Sequence, residues 1–357
     1  MKIKENVLLS SLTTMRLGGA AEYVIEIESR EDLAEAFSFV HDKNLAIYFL
    51  GGGANSLGRD EGFTGAILMN KIRGIKILEE KNGEVRIRAE GGEIWDELVK
   101  FTVERGLTGI EAMAKIPGTV GAAPVQNIGA YGQEVAQVLE SVEAYDTLLD
   151  EVVELPKEKM NFSYRKSIFN SGETKGRYFI ISVVLKLKHG ELKQPFYNSL
   201  QKYLDENKIN DYSPLSIYQA VSAIRAEKLP DPKKIASAGS FFKNVYVDDA
   251  DADRLEKLGV PIRRAASGAE NPTGGEIKNS VGAKRNKVNT GYLIEAAGLV
   301  GEKFYGFKVN PKASLVLINE NSKSFSDLEK AVEKISDAVF EKFGVKLEKE
   351  PVEIKEN

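Results

Sequence analysis

Four glycines and two prolines punctuate the seventeen residues from Ile116 to Gly132, which read Ile-Pro-Gly-Thr-Val-Gly-Ala-Ala-Pro-Val-Gln-Asn-Ile-Gly-Ala-Tyr-Gly. Glycine permits positive φ and close backbone approach, and proline removes a donor and stops a helix. A run with this punctuation cannot be one regular helix or strand. Tight packed turns use the same residues. A nest of inward N–H groups around a flat or anionic ligand uses them too. Gln126, Asn127 and Tyr131 add polar edges at the centre and end of the loop, which favours a cofactor. The candidate contacts are Pro117, Gly118, Thr119, Gly121, Ala122, Gln126, Asn127, Gly129, Ala130 and Tyr131.

Composition removes several chemistries. The chain has no cysteine and only two histidines, His41 and His189. Disulfides, zinc–thiolate sites, iron–sulfur clusters and a cysteine nucleophile are excluded together, and so is a histidine-rich metal site. A serine triad would need one of those two histidines. A net charge of −4 gives no global field toward nucleic acid or membrane. No apolar run approaches the ~20 residues that span a bilayer, and the first residues lack a signal-peptide core. The expectation is a soluble, cytoplasmic monomer of two or three domains, since 357 residues exceed one typical domain.

In the N-terminal part, Gly18-Gly19 turns into a strand at Tyr23–Ile27. Ser29 is read as the cap of a following helix, with His41 a solvated cation at its end. The strand Leu45–Leu50 runs into Gly51-Gly52-Gly53-Ala54-Asn55-Ser56. Strand then glycine is how backbone N–H groups receive a pyrophosphate. Neither common motif fits: Ser56 stands where the dinucleotide pattern needs glycine, and Arg59-Asp60 stand where a P-loop needs Lys and Ser or Thr. The turn and ligand readings both stand. Short strands follow at Ala66–Met69, Ile75–Leu78 and Val85–Ala89, with a hairpin at Asn82-Gly83. A helix covers Gly92–Arg105, where Trp95 reads as packing. Ser141–Tyr145 and Tyr178–Lys188 complete a mixed set of strands and helices. Arg165, between Tyr164 and Lys166, is either a buried fork for a carboxylate or phosphate or a surface arginine stacked on Tyr164.

A boundary is expected near 190–212, where Glu206–Asp211 is polar. Ser213-Pro214 opens a helix with Leu215, Tyr218, Val221 and Ile224 as its apolar stripe. Arg225 and Lys228 share a side at its end. In Gly239-Ser240-Phe-Phe-Lys-Asn244, Ser240 is either a helix N-cap or lies close to Lys243 and Asn244 on one helical turn. Arg263–Asn289 reads as a loop, Thr290–Gly298 as a short helix, Ser314–Ile318 as a strand, Ser326–Phe343 as an amphipathic helix and Val345–Val352 as a last strand. Neither internal repeats nor low-complexity segments occur.

In order, Gly51–Ser56, Ile116–Gly132, Tyr164-Arg-Lys-Ser-Ile-Phe169, Lys228-Leu-Pro-Asp-Pro232, Gly239–Asn244 and the glutamate-bearing tail resemble the UDP-N-acetylenolpyruvoylglucosamine reductase family from about Thr13 to Pro351. The interval from Arg165 to Ser240 resembles the subgroup with a tyrosine-bearing insertion, and Tyr197 occupies that tyrosine's place. The resemblance implies an α+β fold: an FAD domain of the vanillyl-alcohol-oxidase type over 13–190 and a substrate domain over 212–354. It implies that NADPH reduces FAD, and that the flavin passes hydride to the enolpyruvyl group of a small UDP-sugar. Matched by motif, Arg165, Ser240 and Glu350 form the catalytic trio. Gly51, Gly52, Gly53, Ala54, Asn55 and Ser56 join the central loop in holding FAD. Tyr197, Arg225, Lys228 and Asn244 meet substrate or nucleotide, and no metal or nucleic acid is needed. The chain departs from the family at Val309–Ser314, which lacks a usual histidine and glutamine, and in a longer Ala265–Asn289 loop. Pro351 follows Glu350 instead of preceding it, which leaves Glu348 as an alternative acid. Outside this reading stand two others: an oxidase or dehydrogenase of sugars or alcohols on the same FAD fold, and a flavin-binding protein without catalysis.

Overall fold

The computed structural model describes residues 1–264 and 286–356. Strand β1 (Lys2–Leu8) lies at an edge and is almost wholly exposed, and β2 (Ala20–Ile27) pairs with it antiparallel. Helix α1 (Asp32–Asp42), β3 (Ile47–Phe49), β4 (Ser56–Gly58) and β5 (Phe63–Asn70) follow. The first sheet runs β1-β2-β5-β3, with β2 and β3 parallel to β5. Ser29 does not cap α1. The Asp32 carboxylate instead accepts from the N–H groups of Glu28 and Ser29 and pairs with the Met1 amino group at 2.8 Å. His41 is exposed at the helix end.

A second, antiparallel sheet comprises β6 (Ile75–Lys81), β7 (Glu84–Glu90), β8 (Leu107–Thr108), β9 (Leu139–Asp146), β10 (Glu151–Pro156) and β11 (Tyr178–His189). Its order is β10-β9-β11-β7-β6, with β8 on the end of β11. Asn82 and Gly83, at φ +53° and +77°, make the tight hairpin that joins β6 to β7. Helix α2 (Trp95–Val103) closes one face, with Trp95 1% exposed and its indole N–H donating to Met113 O at 3.1 Å.

Two further helices, α3 (Asn198–Glu206) and α4 (Pro214–Lys228), pack on this same core. Ser213 caps α4 by accepting from Ser216 N–H, and Pro214 sits in its first turn. Leu200, Leu204, Ile217, Tyr218, Val221 and Ile224 are buried with Val85, Ile87, Val142 and Val183. Each of those aliphatic side chains contributes roughly 1.5–3 kcal/mol by leaving water. The expected stripe is therefore rotated: Leu215 is 43% exposed and Ile217 is buried. The expected division at 190–212 also lies too early. Glu206–Asp211 joins two helices of one core, so it is polar as a turn and not as a linker.

The second core starts beyond α4. It uses β12 (Ala236–Ser240), β13 (Val245–Val247), α5 (Asp249–Lys257), β14 (Ile262–Arg263), β15 (Asn286–Val288), α6 (Thr290–Ala296), β16 (Lys303–Phe304), β17 (Phe307–Val309), β18 (Val316–Asn319) and α7 (Phe325–Phe343). β12-β18-β17-β16 form one sheet and β13-β15-β14 another. Phe241, Phe307, Leu328 and Ile335 fill this core together with Met15, Leu17 and Leu57 from the first part of the chain. Gly344, at φ +66°, ends α7. The expected loop 263–289 is strand at both ends, and its residues 265–285 lie outside the described residues. The last strand, β19 (Val352–Ile354), comes later than expected and pairs parallel with β4. The chain thus ends inside the part where it began.

Candidate active site

Two glycine loops meet beneath this closing strand. Gly51–Ser56 leaves β3 and packs against Ile116–Gly132. A Cβ on Gly52 would lie 3.0 Å from the Gly118 Cα, and one on Gly51 would lie 2.8 Å from the Ala122 Cβ. Gly53 holds φ +65°, with the Leu12 carbonyl where a side chain would be. The N–H groups of Gly51, Gly52, Gly53, Ala54 and Asn55 donate to no acceptor among the described residues. Consecutive unengaged N–H groups beside an exposed Gly52 are what a diphosphate requires. Gly118 and Gly132 have open space on the side a Cβ would take, which leaves the second loop room for a flat group. The loops therefore fit a dinucleotide cofactor.

Within the central loop the expected contacts divide. Gln126 accepts from Asn55 Nδ2 at 2.7 Å, which ties the loops together. Asn127 is 1% exposed, and its amide is committed to Glu134 (2.9 Å), to Ala136 N–H (3.1 Å) and to Ser163 O (3.4 Å). Its side chain shapes the loop from behind and is not free to meet a cofactor. Gly121 packs on Gly91, and Gly129-Ala130 pair with Gln133-Glu134, so close packing already explains those two glycines.

Arg165 and Glu350, far apart in sequence, form an ion pair at 2.7 Å through the arginine Nε. Their side chains are 19% and 9% exposed. Both readings of Arg165 hold in part, because it is a buried fork and its guanidinium also lies 5.2 Å from the Tyr164 ring centre. Its Nη groups meet no acceptor among the described residues, which leaves one edge of the fork open. Burial works against its charge, and Glu350, Tyr164 and Glu134 together outweigh burial and raise its pKa. Burial pushes the Glu350 carboxyl above the usual range, against the pull of Arg165. Glu348 is 72% exposed and paired with Lys243, so the geometry favours Glu350 over it.

Ser240 ends β12 opposite Val316, after a bulge at Gly239. It is neither a helix cap nor part of a helical turn, which corrects both readings. Small residues here follow the register of β18, a partner invisible locally. The next residue, Phe241, accepts from Glu350 N–H at 2.9 Å, so the backbone ties the end of β12 to the segment that carries Glu350. Asn244 accepts from Thr290 N–H at 3.2 Å and meets the Tyr164 hydroxyl.

Four residues that the sequence reading did not select surround the pair. Tyr164 packs edge-on to Tyr246, with ring centres 5.5 Å apart, and Lys287 lies 5.9 Å over Tyr164. Lys287 stands on β15 between Tyr246 and Arg263. Burial, then Arg263 and Arg165, lower its pKa, while burial raises that of Glu134. Burial pushes Tyr246 up to about 12. The only local signal was that Glu134 lies two residues beyond the end of the glycine loop; Lys287 sat in a stretch read as loop.

Tyr197, Arg225 and Tyr131 form a second group. Tyr131 and Tyr197 meet edge-on at 6.0 Å. Arg225 is half-buried, and desolvation lowers its pKa against the pull of Tyr131; its Nη2 donates to Lys115 O at 3.3 Å, while its Nε lacks a partner among the described residues. Lys228 does not share that environment. Its side chain is exposed, and its carbonyl accepts from Asn310 at 3.2 Å. The altered 309–314 segment therefore secures the end of α4. Among the described residues no cluster of metal-ligating side chains occurs.

Comparison with known proteins bears on both halves. Residues 21–154 match the model of an FAD binding domain, and residues 231–354 match that of the UDP-N-acetylenolpyruvoylglucosamine reductase C-terminal domain. A UDP-N-acetylenolpyruvoylglucosamine reductase of Vibrio vulnificus (strain YJ016) is 34% identical over 352 residues, covering 98% of this chain and 94% of the relative. One from Amoebophilus asiaticus (strain 5a2) is 35% identical over 352 residues, covering 98% of each. The crystal structure of the enzyme of that name from Thermus caldophilus shares the fold, with a TM-score of 0.64 at 23% identity over 99% of both chains.

Proposed function

The chain belongs to the UDP-N-acetylenolpyruvoylglucosamine reductase family, and from that membership we propose how its own residues carry the reaction. It is an FAD-dependent oxidoreductase that reduces UDP-N-acetylenolpyruvoylglucosamine to UDP-N-acetylmuramate for peptidoglycan synthesis, with NADPH as hydride donor. The observation that carries the site assignment is the buried Arg165–Glu350 pair beside the two glycine loops.

Two units are assigned: the FAD unit, which includes α3 and α4 and ends near Lys228, and the substrate unit, from Ala236 through α7. The N–H row from Gly51 to Asn55 holds the FAD diphosphate, and the open sides of Gly118 and Gly132 accept the rest of the cofactor. When bound, FAD relays hydride from NADPH to the terminal carbon of the enolpyruvyl group. Charge then builds on the substrate carboxylate. The open Nη edge of Arg165 receives that carboxylate as a fork, and the charge is stabilised more in the transition state than before it. Ser240 donates a proton to the carbon beside the ether oxygen, so one hydride and one proton complete the reduction. Glu350, with its pKa raised by burial, supplies a hydrogen-bonding carboxyl against the same developing charge.

Tyr197 and Arg225, grouped at Tyr131, and the exposed Lys228 take the outer parts of substrate and nucleotide. Asn244 orients Tyr164 under Arg165. Among the described residues no helix is long and apolar enough to cross a membrane. The proposal includes a cytoplasmic monomer whose product serves cell-wall growth, and so cell shape and division. The test is an anaerobic incubation with NADPH and the enolpyruvyl sugar in D2O. The expected product gains two hydrogens and carries solvent deuterium at the ether carbon, whatever the isotope delivered through the exchangeable flavin N–H to the terminal carbon. NADPH consumption without that product, or oxidation of sugars or alcohols instead, would overturn the reading.

A further inference from the structure

Glu350 sits at a seam. On its N-terminal side, Lys349 bridges to Phe242, and Glu350 N–H itself donates to Phe241 O at 2.9 Å, both in the substrate unit. On its C-terminal side, Val352 pairs with Ser56 and its N–H donates to Asn55 O at 2.9 Å, both in the FAD unit. Pro351, between the two pairings, has no N–H to give. Among the described residues the Glu350 carbonyl accepts from one neighbour, Asn55, whose Nδ2 reaches it at 3.4 Å. The same nitrogen donates to Gln126 Oε1 at 2.7 Å. An amide nitrogen has two hydrogens, and these two contacts use both. Asn55 also closes the row of N–H groups, Gly51 to Asn55, that meet no acceptor among the described residues.

We propose that Asn55 is a positioning residue that couples filling of the glycine loop to the placement of Glu350. The proposal rests on the reading of that loop as the diphosphate site and of Glu350 as the reacting carboxyl. An anion on the loop's N–H groups fixes Asn55. Its carbonyl and side-chain amide then fix the tail on either side of Pro351, and the tail presents Glu350 to Arg165. Glu350 lies 2.7 Å from the arginine Nε, so a small drift of the tail breaks that contact and opens the carboxyl to water. The coupling is reciprocal: a well-placed tail also strengthens cofactor binding.

The test compares wild type, Asn55→Ala and Gln126→Ala, each with and without saturating FAD, by hydrogen exchange of the peptide covering residues 349–354 and by the two half-reactions. In wild type, FAD should slow exchange at the Glu350 and Val352 amides. Asn55→Ala should lose roughly fivefold of that slowing, the worth of one hydrogen bond. Gln126→Ala leaves the Asn55 amide unaligned and should lose part of it. The rate of reduction by NADPH at saturating FAD is read in each variant as the internal reference. Reoxidation by the enolpyruvyl sugar should fall up to about a hundredfold in Asn55→Ala, as for a reacting group displaced by about 1 Å. Its pH profile should also move down, because a released Glu350 loses the burial that raises its pKa.

An Asn55→Ala protein that binds FAD more weakly but, once saturated, reoxidises and exchanges like wild type would make Asn55 a cofactor contact only, and the proposal would fall. If Asn55→Ala does not fold, unchanged exchange and reoxidation in Gln126→Ala would overturn the proposal, and the partial loss would sustain it. Wild-type protein whose reduced flavin ignores the enolpyruvyl sugar would instead sink the functional reading, while the exchange data still report on the coupling.

Discussion

Replacing Arg165 with methionine removes the one cation ion-paired with Glu350 among the described residues and keeps much of the side-chain volume. Loss of one partner of a buried ion pair costs about 3–5 kcal/mol where the survivor stays charged. Here the survivor can take a proton, which makes the cost depend on pH. Glu350 has its pKa raised by burial, and Arg165 holds that rise in check. A carboxyl whose folded pKa exceeds its unfolded value of 4.5 contributes stability fully below that value and loses it as pH rises through the folded pKa. In Arg165→Met the folded pKa moves higher, so the loss continues over a wider range of pH. The stability difference between wild type and variant should therefore be small near pH 5 and should grow toward neutral pH at up to about 1.4 kcal/mol per unit. At 9% side-chain exposure, solvent screening removes little of this. Urea unfolding at fixed excess FAD, run at several pH values, measures it. The double variant Arg165→Met with Glu350→Gln should lose the pH-dependent part. A difference that is constant across pH would refute the argument, because it would mean Glu350 does not titrate against Arg165.

Ser240→Ala should leave reduction of FAD by NADPH fast while slowing reoxidation by the enolpyruvyl sugar roughly 10²–10⁴-fold in rapid-mixing traces. Equal reoxidation would make the hydroxyl structural and move the proton to Glu350. In Lys228→Ala, the exposed ammonium is lost and the helix-end carbonyl that Asn310 caps is kept. Michaelis constants should rise or flavin reduction slow, at normal FAD content and stability, and wild-type kinetics would remove Lys228 from the site. FAD should be bound without a covalent link, since cysteine is absent and neither histidine lies in a glycine loop. Acid precipitation should release all of the flavin, and colour left on the pellet would contradict this.

Features carried by local chemistry were legible in the sequence. Asn82-Gly83 specified a tight hairpin, Ser213-Pro214 a capped helix start, and Gly298 and Gly344 the ends of helices, each by backbone conformation or missing donors. What depended on distant partners was not. β1 reads Lys-Ile-Lys-Glu-Asn-Val-Leu and lies at an exposed edge, so no core-facing apolar alternation marks it. Ala236–Ser240 carries small residues whose register comes from β18. Leu215 and Ile217 exchanged roles because α4 packs on the first core, a choice set by what surrounds the helix. For the site, family resemblance brought Arg165, Ser240 and Glu350 together, and the fold adds what motifs cannot. It commits the Asn127 side chain to the loop's own scaffold and half-buries Arg225 away from the exposed Lys228. It also sets Tyr164, Tyr246, Lys287 and Glu134 around the ion pair.

The most direct measurement starts from purified protein loaded with FAD and reduced by one equivalent of NADPH without oxygen. Adding UDP-N-acetylenolpyruvoylglucosamine should return the oxidised flavin spectrum within the turnover time, in wild type but not in Arg165→Met. A reduced flavin that persists in the wild type with the enolpyruvyl sugar, or that reoxidises equally fast without Arg165, would contradict the central claim.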